Sequence, residues 1–183
     1  VEVHHPELEI AMVMSDTKVN RTLNGENDWG WSDRSHPHPK TDKIFEVDYK
    51  PLKIYLSGPI NFVSRDEAIL WRANVVGRLS EGLGGRVQFF DPMDRDYTGS
   101  THKFFKEIVE LDKKDIDESD LVLVNYSMMS TGTTMEIMYA YDAGKTVIAV
   151  VDSVPISPWL IYHTDRIFTK MDDALSYIED FYA

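Results

Sequence analysis

Glu136 follows a loop of hydroxyl-bearing and small residues, and together they could form a phosphate-and-sugar pocket with a carboxylate in it. Before the loop comes Asp120-Leu121-Val122-Leu123-Val124-Asn125-Tyr126, a nearly continuous apolar run of the kind buried on both faces of a parallel sheet. The loop is Ser127-Met128-Met129-Ser130-Thr131-Gly132-Thr133-Thr134. Glu136 then falls in the first turn of a helix predicted from about Thr134 to Ala143, closed by Gly144-Lys145. In open α/β sheets, ligands bind at the carboxyl ends of strands, against the helix N-termini that follow, so Glu136 stands where such a pocket forms. Thr133-x-x-Glu136 is equally the spacing of a capping box, with Thr133 as N-cap, and the residues alone leave both readings open.

Two further motifs belong to the same edge of a predicted sheet. Lys53-Ile54-Tyr55-Leu56-Ser57-Gly58-Pro59-Ile60 is a strand running into a turn, with Gly-Pro as a strong turn signal. Asp91-Pro92 ends a second strand, Arg86-Val87-Gln88-Phe89-Phe90. Asp112, eight residues before Asp120, lies in a charge-rich run with Glu107, Glu110, Lys113, Lys114, Asp115, Asp117 and Glu118, where a solvated helix face is the plain reading.

Ser57-Gly58-Pro59, the placement of Asp112, and the run from Ser130 through Glu136-Ile137-Met138-Tyr139-Ala140 together resemble the nucleoside 2-deoxyribosyltransferase family, which includes nucleoside 5'-monophosphate N-glycosidases. The resemblance covers roughly Leu52 to Tyr182, and Gly-Thr-x-x-Glu-Ile-x-x-Ala is its most specific part. It implies that Glu136 is the nucleophile at the anomeric carbon and that Asp112 handles the proton of the departing base, as N-glycosidic cleavage through a covalent glycosyl-enzyme requires. A helix N-terminus is expected to hold such a glutamate ionised. The resemblance also puts Tyr55, Gly58, Pro59 and Asn61 around the sugar and base, with base contacts from the loop Met93 to Thr98 after Asp91. No cofactor and no metal is implied.

Ser130 bears on the form of the substrate. Free-nucleoside transferases of the family resemble one another in carrying an aspartate six residues before the nucleophile, which would repel a 5'-phosphate. The hydroxyl of Ser130, with Gly132 and Thr133 beside it, can donate to one. Ser157 is the match to a serine that reaches the phosphate from a neighbouring subunit, and Tyr182 is a second candidate to cross over. Asn61 stands where phosphate-hydrolysing relatives carry arginine; Arg65 and Arg72 are the candidates to replace it, or are solvated. The resemblance thus implies a homodimer or larger homo-oligomer acting on a nucleoside or its 5'-monophosphate, with a free base or water as acceptor. The competing class is a non-catalytic nucleotide-binding or sensing module on the same fold, with Glu136 merely capping its helix.

With 183 residues, 43% of them hydrophobic, the chain can bury one substantial core, with room for an appendage. Absence of cysteine excludes a disulfide framework and thiolate metal sites. No apolar stretch approaches a membrane span, and Val1-Glu2-Val3-His4-His5 lacks the pattern of a signal peptide, so a cytoplasmic protein is expected. A net charge of −12 argues against a polymeric nucleic acid, which needs basic stripes, but not against a single nucleotide held by local amides.

The chain divides near residue 50, into an arm (residues 1 to 51) and a deoxyribosyltransferase-like domain (residues 52 to 183). From Leu52 onward strands and helices alternate, predicting an α/β, doubly wound, flavodoxin-like sheet of five parallel strands in the order 2-1-3-4-5. Before that, Glu9 to Met14 reads as a strand, and Asn20 to Asp42 as an irregular arm whose Trp29 and Trp31 could pack on a neighbouring subunit. His4, His5, His36 and His38 lack carboxylate or thiolate partners at ligand spacing, so no metal site is expected there.

Overall fold

The structure, a computed structural model, describes residues 50–95, 97, 99–152 and 155–182. The amino-terminal strand, the tryptophan-bearing arm, its four histidines and the division near residue 50 lie outside these residues.

Strands β1 (Leu52–Ser57), β2 (Val87–Phe90), β3 (Leu121–Asn125), β4 (Thr146–Val150) and β5 (Arg166–Phe168) form one parallel sheet in the order β2-β1-β3-β4-β5, as predicted. Between them run α1 (Arg65–Gly82), a 3-10 turn (Pro92–Asp94), α2 (Thr101–Glu118), α3 (Thr131–Asp142) and α4 (Pro158–Tyr162), and α5 (Met171–Tyr182) closes the chain. Because side chains alternate along a strand, the inner strands, apolar along most of their length, feed two cores. Ile54, Leu56, Leu121, Leu123, Ile148 and Val150 pack under α1 and α5, against Val75, Leu79, Leu175 and Ile178. Tyr55, Val122, Val124, Val147 and Ala149 face the other way, against Ile116 of α2 and Ile137 and Ala140 of α3.

β1 therefore has β2 on one side and β3 on the other, while the helices that follow β1 and β3 leave on opposite faces. That is the switch point at which a crevice opens beyond the strand ends. Ser64 caps α1 in a complete capping box with Glu67, which holds the mouth of this crevice on the β1 side. No helix among the described residues is long and apolar enough to cross a membrane.

Two local expectations change. α3 starts at Thr131, three residues before the expected Thr134, because Ser130 and not Thr133 is its N-cap: Ser130 Oγ accepts from the Thr133 amide at 3.5 Å, and the Thr134 hydroxyl donates to the Ser130 carbonyl at 2.8 Å. Glu136 thus sits in the second turn, not the first. α4 was not expected; Ser157-Pro158, an N-cap followed by proline at the first helical position, was its signal.

Leu123 is fully buried at the centre of β3. Leu123→Ala should lose about 2–5 kcal/mol of stability, measured by denaturant unfolding, since the packed sheet leaves little room for collapse around the void.

Candidate active site

A cavity of about 380 Å³ opens at the carboxyl edge of the sheet, and Glu136 and Asp112 both line it. Glu136 reaches it because Thr133, Ile137 and Ala140 are the buried stripe of α3, which turns position 136 inward with them. Its Oε2 accepts a hydrogen bond from Ser57 Oγ, the last side chain of β1, at 2.5 Å. The carboxylate is committed to that contact and does not return to the helix backbone, so the capping-box reading fails. Burial pushes the Glu136 pKa up to about 7, with the negative charge of Asp112 acting the same way; Ser57, Tyr55 and Arg72 oppose the shift. The expectation that the helix dipole keeps Glu136 ionised is therefore corrected. Desolvation outweighs the dipole, whose influence is strongest in the first turn.

Asp112 is no solvated residue. Ile108 and Ile116, one helical turn before and after it on α2, line the cavity and fill the core respectively, so position 112 faces inward. Its side chain is only 16% exposed and accepts a hydrogen bond from Arg95 Nη2 at 2.6 Å. Arg95 Nη1 lies 3.0 Å from Asp115 Oδ2, so one guanidinium is forked between two carboxylates. Burial raises the Asp112 pKa, and Arg95 pulls against that rise. Below the cavity, the fully buried Tyr55 turns its hydroxyl towards Glu136 and Asp112; burial and these two charges hold its proton on.

Residues 51–154, which carry both carboxylates and the strands β1 to β4, match the family model described as "Nucleoside 2-deoxyribosyltransferase like". The chain belongs to this family. A solved 2-deoxyribosyltransferase from Bacillus psychrosaccharolyticus aligns over 68% of this chain and 91% of its own, at 20% identity and a TM-score of 0.55. A conserved protein from Enterococcus faecalis V583 aligns over 72% and 99%, at 21% identity and a TM-score of 0.57. At such identities the likeness is one of fold. A search of curated proteins finds no match. Family membership supports a glycosyl-transferring enzyme acting on a nucleoside-type small molecule.

In this deoxyribosyltransferase-like chain, Gly58, Asn61, Ser130, Gly132 and Thr133 line the cavity with the two carboxylates. Other expected contacts lie elsewhere. Pro59 lines an adjoining groove against Trp71. Asp91 is absent from the cavity wall: its Oδ1 accepts from the Met93 amide at 2.8 Å and lies 3.0 Å from Arg72 Nε. Ser157 caps α4 and does not line the cavity of its own chain. Tyr182 is packed against its own core. Of the two arginines weighed against Asn61, Arg65 lines the cavity, whereas Arg72 is buried beneath it and neither replaces the missing arginine nor is solvated. Sequence reasoning gave no role to Ser57, the partner of Glu136, or to Arg95, the partner of Asp112. A polar residue closing an apolar strand, and the lone basic residue of the loop Met93 to Thr98, were the available signals. Among the described residues, no group of three histidine or acidic side chains is arranged to hold a metal.

The raised Glu136 pKa has a sign in stability. The folded chain keeps a proton that the unfolded chain has released between the ordinary value of 4.5 and about 7, so stability is full below that window and declines as pH rises through it. Glu136→Gln removes this loss. Measured by denaturant unfolding, its stability relative to wild type should be higher at about pH 8 than at about pH 5, by roughly 1–3 kcal/mol. An equal difference at both values would show that Glu136 titrates normally.

Proposed function

We propose that the chain cleaves the N-glycosidic bond of a 2'-deoxynucleoside or its 5'-monophosphate through a glycosyl intermediate on Glu136, passing the deoxyribosyl group to water or to a second base. The observation that carries this reading is the meeting of two desolvated carboxylates in one cavity, each with its own donor: Ser57 on Glu136 and Arg95 on Asp112. The ionised Glu136 attacks the anomeric carbon, a C–O bond forms as the C–N bond breaks, and the proton of Asp112 goes to the departing base nitrogen. Water or an incoming base then attacks the same carbon, gives its proton to Asp112, and releases Glu136 as the carboxylate. A pKa of about 7 leaves Glu136 available as the anion near neutrality, while the scarcity of competing solvent keeps it reactive.

The reading leans to the 5'-monophosphate as substrate. Ser130, Gly132 and Thr133 present the N-terminus of α3, and Arg65 enters from the first turn of α1, supplying a cation where Asn61 has none. The reading includes a cytoplasmic homo-oligomer in which Ser157 serves a neighbouring pocket. Exposed Met135, Met138, Tyr141, Trp159 and Tyr162 on α3 and α4 support such an interface.

Glu136→Gln and Glu136→Ala should each lower turnover of deoxynucleoside monophosphates by several orders of magnitude with the fold retained, followed as base release by chromatography. Asp112→Asn should slow substrates with poor leaving groups far more than an activated nucleoside; equal losses would leave Asp112 a positioning role only.

Substrate form is tested by comparing kcat/KM for deoxynucleosides and their monophosphates. Wild type should favour the monophosphate by an amount typical of one or two charge-assisted hydrogen bonds, about 1.5–3 kcal/mol each, and Ser130→Asp should reverse the preference. A wild type that prefers free nucleosides would remove the phosphate from the reading and leave Glu136 in place.

A further inference from the structure

Arg72 is among the largest fully buried side chains, and its side chain is 2% exposed. It lies on α1 beneath the cavity, where its guanidinium spends each edge on a different segment. Nη1 donates to the Ala68 carbonyl at 2.7 Å, one turn back on the same helix. Nη2 donates to the Gly58 carbonyl at 3.2 Å, just past the end of β1. Nε lies 3.0 Å from Asp91 Oδ1, just past the end of β2. The close seating of Gly58 is real steric contact: a Cβ there would meet the Trp71 ring at 2.7 Å, so glycine lets this stretch of backbone settle onto α1.

The two segments outside α1 each lead to one of the two carboxylates. Gly58 is the residue after Ser57, whose hydroxyl holds Glu136. Asp91 caps the Pro92–Asp94 turn through the Met93 amide, and the residue that leaves this turn is Arg95, which holds Asp112. We infer that Arg72 is a positioning residue of the reaction: from beneath the cavity it ties the backbone after Ser57 to Asp91, the cap of the turn that ends in Arg95, and so sets Glu136 against Asp112. This inference rests on the function proposed above.

Stability alone does not call for arginine here. A buried ion pair is often matched or bettered by apolar side chains of similar volume, whereas removing one partner leaves an uncompensated charge. Lysine would keep the charge, but its compact ammonium cannot reach two carbonyl acceptors and an ion-pair partner that diverge around a planar fork. The positive charge also acts on Glu136 and opposes the rise in its pKa.

The decisive variant is the double substitution Arg72→Met with Asp91→Leu, which removes both charges together. Its melting temperature should stay near that of wild type. Its kcat should fall roughly 10- to 100-fold while KM changes by less than about threefold, as expected when reacting groups are misplaced and binding is kept. Independently of turnover, the Glu136 carboxylate, followed by carbon-13 NMR and assigned against Glu136→Gln, should titrate at higher pH than in wild type. Arg72→Lys, the milder change should the double variant fail to fold, should restore the titration but not the turnover. A folded double variant with wild-type kcat and wild-type Glu136 titration, or a lysine variant with full turnover, would overturn the inference. A wild type that releases no base but whose Glu136 titration still moves in the double variant would sink the proposed function and keep the positioning of Glu136 by Arg72.

Discussion

Removing a carboxylate from water is the constraint on which the rest of this domain depends. Glu136 is acidic by nature, and nothing in an apolar sheet edge welcomes it. The hydroxyl of Ser57, the buried Tyr55 and the charge of Arg72 offset the loss of hydration without cancelling it, so the group rests near neutrality instead of in the usual carboxylate range. A stronger set of donors would hold Glu136 as a placid anion, and a weaker one would leave it protonated. The balance is struck by elements from distant parts of the chain.

Asp112 shows a different solution to the same problem. Its compensation is one strong partner, Arg95, shared with Asp115. Burial raises the Asp112 pKa, and Arg95, divided between two acids, offsets that rise only in part. Two acids across one cavity thus differ in their surroundings: one is supported by neutral donors and a charge at a distance, the other by a contact ion pair. Such divergence is how similar side chains take different parts in one reaction.

The sheet was legible in the sequence because its grammar is local. Each apolar run from Lys53 onward is bounded by turn residues, and the alternation of runs with helical periods admits few topologies. The candidate site was legible in its two carboxylates and in Ser130, because the family motif names them. It was not legible in Arg95, Arg72 or the true start of α3. Ser130 and Thr133 are both competent N-caps, and only the inward stripe Thr133, Ile137, Ala140 chooses between them. Arg95 finds Asp112 through the rotation of α2, and Arg72 finds Gly58 and Asp91 through the docking of α1. Both pairings are tertiary, and a linear pattern of charges looks the same whether a residue turns outward or in.

The Ser57–Glu136 hydrogen bond joins residues 79 apart in the chain. Parallel pairing offers no local hairpin to bring them together, so β1 must wait for β3, and the contact closes only when α3 has docked on the finished sheet. Until then Glu136 is an ordinary hydrated glutamate. A nascent or partly unfolded chain therefore holds no buried carboxylate pair, and the cavity with its two acids exists only in molecules that have completed their fold.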